Sequence, residues 1–259
     1  GVRDLRGEGE LFRKTGCADD PERLAIFAGD PLRFRPGSQC AYSAYGQVLV
    51  GAVAAAAAGE PYLDFVRREI LVPLAMESTV PDVAGRPDPD AARFYYPRLA
   101  LDPRYGLQDA PPADLSCILP AGGFLSTPAD LVRLGSALLG DRDTTLLDPM
   151  TVEELQTPLR LASGQPAEQA LGFSVRRIPL GADGTATRIV GQGLDAPVRR
   201  RPLSATALGG QVPGGTATLL IVPEHHLVVA VTANVSGAGN VPQLAIRLAD
   251  LFVRSLQAP

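Results

Sequence analysis

"PGSQCAYSAYGQVLVGAVAAAAAGEPY", residues 36–62, decides how the chain is read. Pro36 and Gly37 make a turn, Tyr42 and Tyr45 follow three residues apart, and a long run of small apolar residues ends at Gly59 and Pro61. Glycine after an apolar run and proline just beyond it are helix-stop signals. The spacing therefore predicts a helix from just after Tyr42 to about Gly59, buried almost all the way round. Tyr42 and Ser43 stand at its mouth.

Working outward, 259 residues can bury a substantial core as one large domain or two small ones. A composition of 46% hydrophobic and 20% charged residues excludes a disordered chain. Net charge −4 gives no basic face for nucleic acid. The longest apolar run, Val48 to Ala58, is about half of the roughly 20 residues a membrane span requires, so no membrane segment is expected. No signal peptide is visible. Gly1 in place of an initial methionine reads as a processed product or a fragment. Cys17, Cys40 and Cys117 are scattered and odd in number, which predicts small buried thiols and neither a disulfide nor a zinc site.

Along the chain, a helix is expected at Pro21–Ala28 with Asp20 as cap. A second, opened by Pro61, carries Tyr62, Val66, Ile70 and Leu74 at helical spacing. Residues 81–116 show no sustained period and read as a long surface excursion, functional or mobile. "AGGFLSTPADLVRLGSALLG" (121–140) carries strong start signals, with Thr127 as cap, Pro128 in the first turn, Asp130 as a capping-box acid and Gly140 as the stop. "DPMTVEELQT" (148–157) is another short helix. From Leu171 the period changes to that of strands, ending in a hairpin around Pro223–His226. Pro242–Leu256 closes the chain as an amphipathic helix with Leu244, Leu248, Leu251 and Phe252 on its apolar stripe. Helices first, then an antiparallel sheet and a covering helix, define an α+β class.

Chemistry is sparse. His225 and His226 are the only histidines and fall in the hairpin turn, where a Ser-His-Asp triad could not use them. No metal-binding spacing occurs, and no cofactor is expected. Asp88/Asp90, Glu153/Glu154 and Arg199–Arg201 read as solvated surface. "GGQVPGG" (209–215) lacks the lysine of a phosphate loop and precedes a strand, so its glycines point to close backbone approach. Tyr42 could exchange a proton or simply hydrogen-bond the backbone; residue type leaves both open.

Four segments in register, "ERLAIFAGDPLRFRPGSQCAYSAYGQVLVGAV" (22–53), "AGGFLSTPADLVRLGSALL" (121–139), "LGGQVPGGTATLLIVPEHHLVVAVTANVSG" (208–237) and the opening "GVRDL", resemble the serine β-lactamase and penicillin-binding-protein superfamily. The resemblance is to the branch that holds the mitochondrial serine β-lactamase-like protein and its bacterial relatives. It implies a β-lactamase/transpeptidase-like fold: one domain over 1–259, helical over roughly 30–165, with the sheet and last helix over 166–259, and its N-terminal part missing. It implies hydrolysis of amide or ester substrates, small or peptidic, through an acyl-enzyme. Tyr42 would relay a proton beside a partner lysine, and the strand at Gly209, Gly210 and Gln211 would offer an oxyanion N–H, Gln211 being the donor.

The chain departs from that pattern. Ala44 replaces an asparagine, and the third motif reads Ala207-Leu208-Gly209-Gly210, without a lysine or histidine. The only lysine, Lys14, has Leu11 three residues before it, so no Ser-x-x-Lys occurs. Its "KTG" (14–16) does not precede the cleft strand and reads as coincidence. The alternative is a non-catalytic β-lactamase-like binding or assembly module. A third reading is a fragment that would not fold alone. For a bacterial, exported protein the implied compartment is periplasmic or extracellular.

Overall fold

The computed structural model describes residues 1–11, 15–83, 90–99, 102–139, 146–167, 169–182, 185–192, 211–212 and 214–257. Two short helices, α1 (Glu8–Leu11) and α2 (Asp20–Ala25), precede the predicted long helix. The cap of α2 is Asp19, whose carboxylate accepts the Glu22 N–H at 2.9 Å, and not Asp20, which pairs with Arg23 instead.

Helix α3 (Ala44–Ala58) begins where Ser43 Oγ accepts the Gly46 N–H at 2.8 Å. It stops at Gly59 with φ +70°, a left-handed cap that glycine adopts without a Cβ penalty. The inward face is Tyr45, Val48, Gly51, Ala52 and Ala55. Gly51 has to be glycine: a Cβ there would lie 2.4 Å from Pro120 Cγ on α5 (Leu119–Gly122), which presses against this helix. Burial all round is not what forms. Val50 and Val53 are about 60% exposed, because small side chains make one face a close-packing surface and leave the other bare.

Helix α4 (Tyr62–Val66) runs on through a π-helical turn at Arg67–Leu71. Ile70, Leu74 and Met76 pack with Leu134 and Ala137 of α6 (Pro128–Ala137). Thr127 caps α6 as expected, accepting the Asp130 N–H at 3.2 Å. The Asp130 carboxylate does not close a capping box. It is almost fully buried and takes the Ser78 N–H and the Thr79 hydroxyl, at 3.0 and 2.9 Å, locking the preceding turn onto the helix. Gly140 lies outside the described residues. Helix α7 (Pro149–Leu155) is capped by Asp148.

The 81–116 excursion contains more order than its sequence shows. β1 (Val80–Pro81) pairs with β4 (Phe124–Leu125), and β2 (Tyr95–Pro97) pairs with β3 (Leu107–Asp109). Strands of two or three residues are too short for a period to register.

The main antiparallel sheet comprises β5 (Ser174–Leu180), β6 (Thr185–Gln192), β7 (Gln211–Val212), β8 (Gly215–Val222) and β9 (Leu227–Ala233). β6 and β7 share one edge of β8, and β9 runs along the other with Thr216 opposite Ala233. Among the described residues no strand pairs with the outer edge of β9 over 227–233. The predicted hairpin turn forms at Pro223–His226 and contains both histidines. α6 covers one face of the sheet, with Gly135 against Val228, and α8 (Val241–Gln257) covers the other.

The buried stripe of α8 is Val241, Ala245, Ala249 and Val253. Leu244, Leu251 and Phe252, expected to face the core, are 47–63% exposed. Only Leu248 of that predicted stripe packs on the core cluster. Alanine at the contact lets the helix lie close on Leu220, Val222 and Val229, and leaves the leucines on its flank.

Cys17 and Cys117 form a disulfide with Cα atoms 4.9 Å apart, correcting the expectation of thiols. Cys40 is free and exposed. The pairing spans 100 positions, so only the fold brings the partners together. Reduction, or Cys117→Ser, should lower stability by about 2–4 kcal/mol, seen as a lower thermal midpoint in calorimetry. Thr218 is buried on β8 with its hydroxyl unpartnered. Thr218→Val should therefore leave the thermal midpoint unchanged or raise it, a direction opposite to that of most core substitutions.

Candidate active site

Tyr42 sits in the extended residues just before α3 and is about one-third exposed. Its neighbours are held tightly. Ser43 Oγ donates to the Arg3 carbonyl at 2.6 Å while accepting the Gly46 N–H. The Ala44 N–H donates to Asp4 Oδ1 at 2.8 Å. Thus the first orphan donors of α3 are satisfied by a side chain of the corner itself and by a strap forty residues earlier.

Arg3 secures that strap. It is buried, lies 4.8 Å over the Tyr45 ring, and donates to Asp30 and to both carboxylate oxygens of Glu10, at 2.8 and 3.0 Å. It also donates to the Asp4 and Ile26 carbonyls. Tyr45 donates its hydroxyl to Glu10 and stacks on Phe27. Burial works to raise the Glu10 carboxyl, but the hydrogen bond and charge of Arg3 outweigh it and hold it below the ordinary carboxylate range. For Asp30 the Arg3 hydrogen bond comes first and lowers it likewise. Burial, and secondly the charge of Asp4, push the Tyr42 phenol above the usual tyrosine range.

Of the strand residues expected at the site, Leu208, Gly209 and Gly210 lie outside the described residues, as does Ala207. Gln211 is the first residue of β7, opposite Thr216. Its neighbour Val212 packs with the cluster of Tyr45 and Leu115, which links β7 to the helix that Tyr42 opens. Val212 also lines a cavity of about 230 Å³ with Asp82, Arg93, Phe94, Asp109 and Leu115 among its walls. Tyr42 is not one of them. The expected close backbone approach occurs at Gly214, φ +77°, where a Cβ would lie 2.7–2.8 Å from Ala110 and Phe94. Ala44 is the buried first residue of α3 and offers a methyl group where an amide was expected. Gly16 of the "KTG" lies against Asp114 and Ser116; Lys14 lies outside the described residues. Asp82, raised by burial and then by the Asp114 charge, has no signal in the sequence. Among the described residues no cluster fits a metal ion, and no single helix is long and apolar enough to cross a membrane.

The Beta-lactamase family model matches residues 6–252, and the chain belongs to that family. It is 37% identical over 132 residues to the mitochondrial serine beta-lactamase-like protein LACTB of Mus musculus, a match covering 51% of this chain and 23% of that protein. It is 33% identical over 112 residues to the D-alanyl-D-alanine-carboxypeptidase/endopeptidase AmpH of Escherichia coli K12, covering 43% and 26%. The chain thus aligns with about a quarter of the length of these relatives. D-amino acid amidase from Ochrobactrum anthropi SV3, solved with L-phenylalanine amide, shares the fold with a TM-score of 0.69 at 22% identity, over 97% of this chain and 67% of that one. The chain is therefore a β-lactamase-like hydrolase-family member with the mixed α+β transpeptidase-type fold.

Glu10 and Asp30 have carboxyls lowered in the folded state, so their stabilisation is present above the ordinary carboxylate pKa and is lost as pH falls through and below it. The thermal midpoint should drop between about pH 5 and pH 3, and Arg3→Met should be less stable at neutral pH with a shallower acid loss. Denaturation melts across that range check both.

Proposed function

We propose that residues 1–259 form one domain of a β-lactamase-related serine hydrolase that cleaves amides or esters through an acyl-enzyme. Its nucleophilic Ser-x-x-Lys would lie elsewhere in the same protein, since Lys14 is the only lysine here and Leu11 precedes it by three. The observation that carries this reading is the place of Tyr42 at the mouth of a capped, packed helix, in a chain of this family. In the proposed step the serine oxygen attacks the carbonyl carbon, and its proton passes through Tyr42 to the departing amine or alcohol as the C–N or C–O bond breaks. Water then releases the acyl group by the reverse relay. The Gln211 N–H on β7 would be one oxyanion donor.

Burial and then Asp4 raise the phenol above the ordinary tyrosine range, making it a weaker proton donor and its phenolate less accessible. A nearby ammonium would lower it, and this is the part a Ser-x-x-Lys lysine would play. The edge of β9 that no described strand pairs and the exposed leucines on the flank of α8 would give further polypeptide somewhere to pack. The disulfide supports an oxidising compartment. Peptides and simple amides fit as substrates by analogy with the amidase and peptidase relatives.

A second reading, a non-catalytic binding module, is favoured by the buried Ala44 methyl at the asparagine position. An intact-mass measurement on the native-source protein, before and after a fluorophosphonate probe, separates the two. One phosphonyl adduct, formed about 10²-fold or more slowly in Tyr42→Phe, is expected. No adduct would leave the binding module as the reading.

A further inference from the structure

We infer that Asp4 is a positioning residue for Tyr42: its carboxylate grips the Ala44 N–H, fixing the corner from which the phenol projects and placing a negative charge beside it. The inference rests on the proton-relay reading of Tyr42.

The geometry begins with two adjacent residues doing opposite things. The Arg3 guanidinium turns into the core, onto Tyr45, Glu10 and Asp30, while Asp4 reaches the start of α3. The two residues following Tyr42 are each tied to this dipeptide, Ser43 through its hydroxyl to the Arg3 carbonyl and Ala44 through its N–H to Asp4 Oδ1. Arg3 Nη1 also holds the Asp4 carbonyl at 3.0 Å, so the strap itself is pinned. Upstream, the Arg33 N–H donates to the Gly1 carbonyl at 2.8 Å, and a Cβ on Gly1 would overlap the Phe34 backbone. The strap is therefore bedded on both sides of the turn that leads to Tyr42.

A carboxylate is suited to both tasks. At a helix N-terminus it meets unpaired N–H groups and the positive end of the helix dipole. Beside a phenol it disfavours the phenolate. The other described charges of the cluster point elsewhere: Arg3 and Arg6 to Asp30, and Glu10 to Arg3, the Arg6 N–H and Tyr45. Asp4 is the charge that acts on Tyr42, in the same direction as burial. A cationic group arriving at Tyr42 would then meet a phenol and a carboxylate together, and the carboxylate would help to seat it.

Two variants separate the roles. Asp4→Asn keeps an acceptor for the Ala44 N–H and removes the charge; Asp4→Ala removes both. Tyrosine ring carbons labelled with ¹³C, with the Tyr42 signal assigned by its loss in Tyr42→Phe, give the phenol titration by NMR without substrate. Asp4→Asn should lower the Tyr42 midpoint with the melting temperature nearly kept. Asp4→Ala should also lower the melting temperature and shift the Ser43 and Ala44 amide signals. An unchanged Tyr42 midpoint in Asp4→Asn, or unchanged corner amides in Asp4→Ala, overturns the inference. Failure of the relay reading shows differently: Tyr42→Phe would then be labelled by fluorophosphonate at full rate, whatever Asp4 does.

Discussion

The buried Arg3 guanidinium is the constraint on which the helical half depends. Taking a charge out of water is costly unless its donors are all met. Here they are met by Asp30, both oxygens of Glu10 and the carbonyls of Asp4 and Ile26, with the Tyr45 ring stacked against the plane. Those partners come from α1, from the turn after α2, from the strap and from the first turn of α3. A lysine, with three donors and no flat face, could not join the same four segments. The position of Tyr42 follows from this, because the strap that Arg3 anchors is the strap that holds Ser43 and Ala44.

The sheet obeys a different rule, close approach through small residues. Gly135 on α6 meets Val228, and Ala245 and Ala249 on α8 meet the opposite face. Such packing brings helix and sheet together without large interlocking side chains. It also fixes β7: Gly214 and Gly215 turn the chain against Phe94 in a space too small for a Cβ, so that Gln211 and Val212 pair with β8 beside the helical cluster. The two halves therefore meet at Val212, Leu115 and Tyr45, one helical turn from Tyr42.

How much of this could be read in the sequence depends on range. The Thr127 cap, the glycine stop at Gly59 and the Pro223–His226 hairpin are local signals, and all are where the sequence puts them. The stripe of α8 misleads because hydrophobicity favours leucine over alanine, whereas close contact with a sheet favours alanine. The Cys17–Cys117 bond, the Asp130 lock on Ser78 and Thr79, and the Asp4 cap each join residues between 40 and 100 positions apart. No local spacing encodes them. Tyr42 itself stood out only through resemblance, since a tyrosine at a helix mouth has an ordinary structural role available.

The charge state of Tyr42 connects fold to chemistry. Burial and Asp4 both favour the neutral phenol, and nothing described beside it acts the other way. In that condition the hydroxyl is a weaker proton donor and its phenolate is less accessible at neutral pH. A base is made from it only by adding positive charge, and a flexible cation with a point charge does so most simply. Arginine is plentiful in this chain and lysine is nearly absent, yet Arg3 and Arg6, the arginines of the strap, are committed to carboxylates. On the proton relay proposed for Tyr42, the corner would position the phenol and leave its activation to a group from outside the strap, a different design from one that carries its own base.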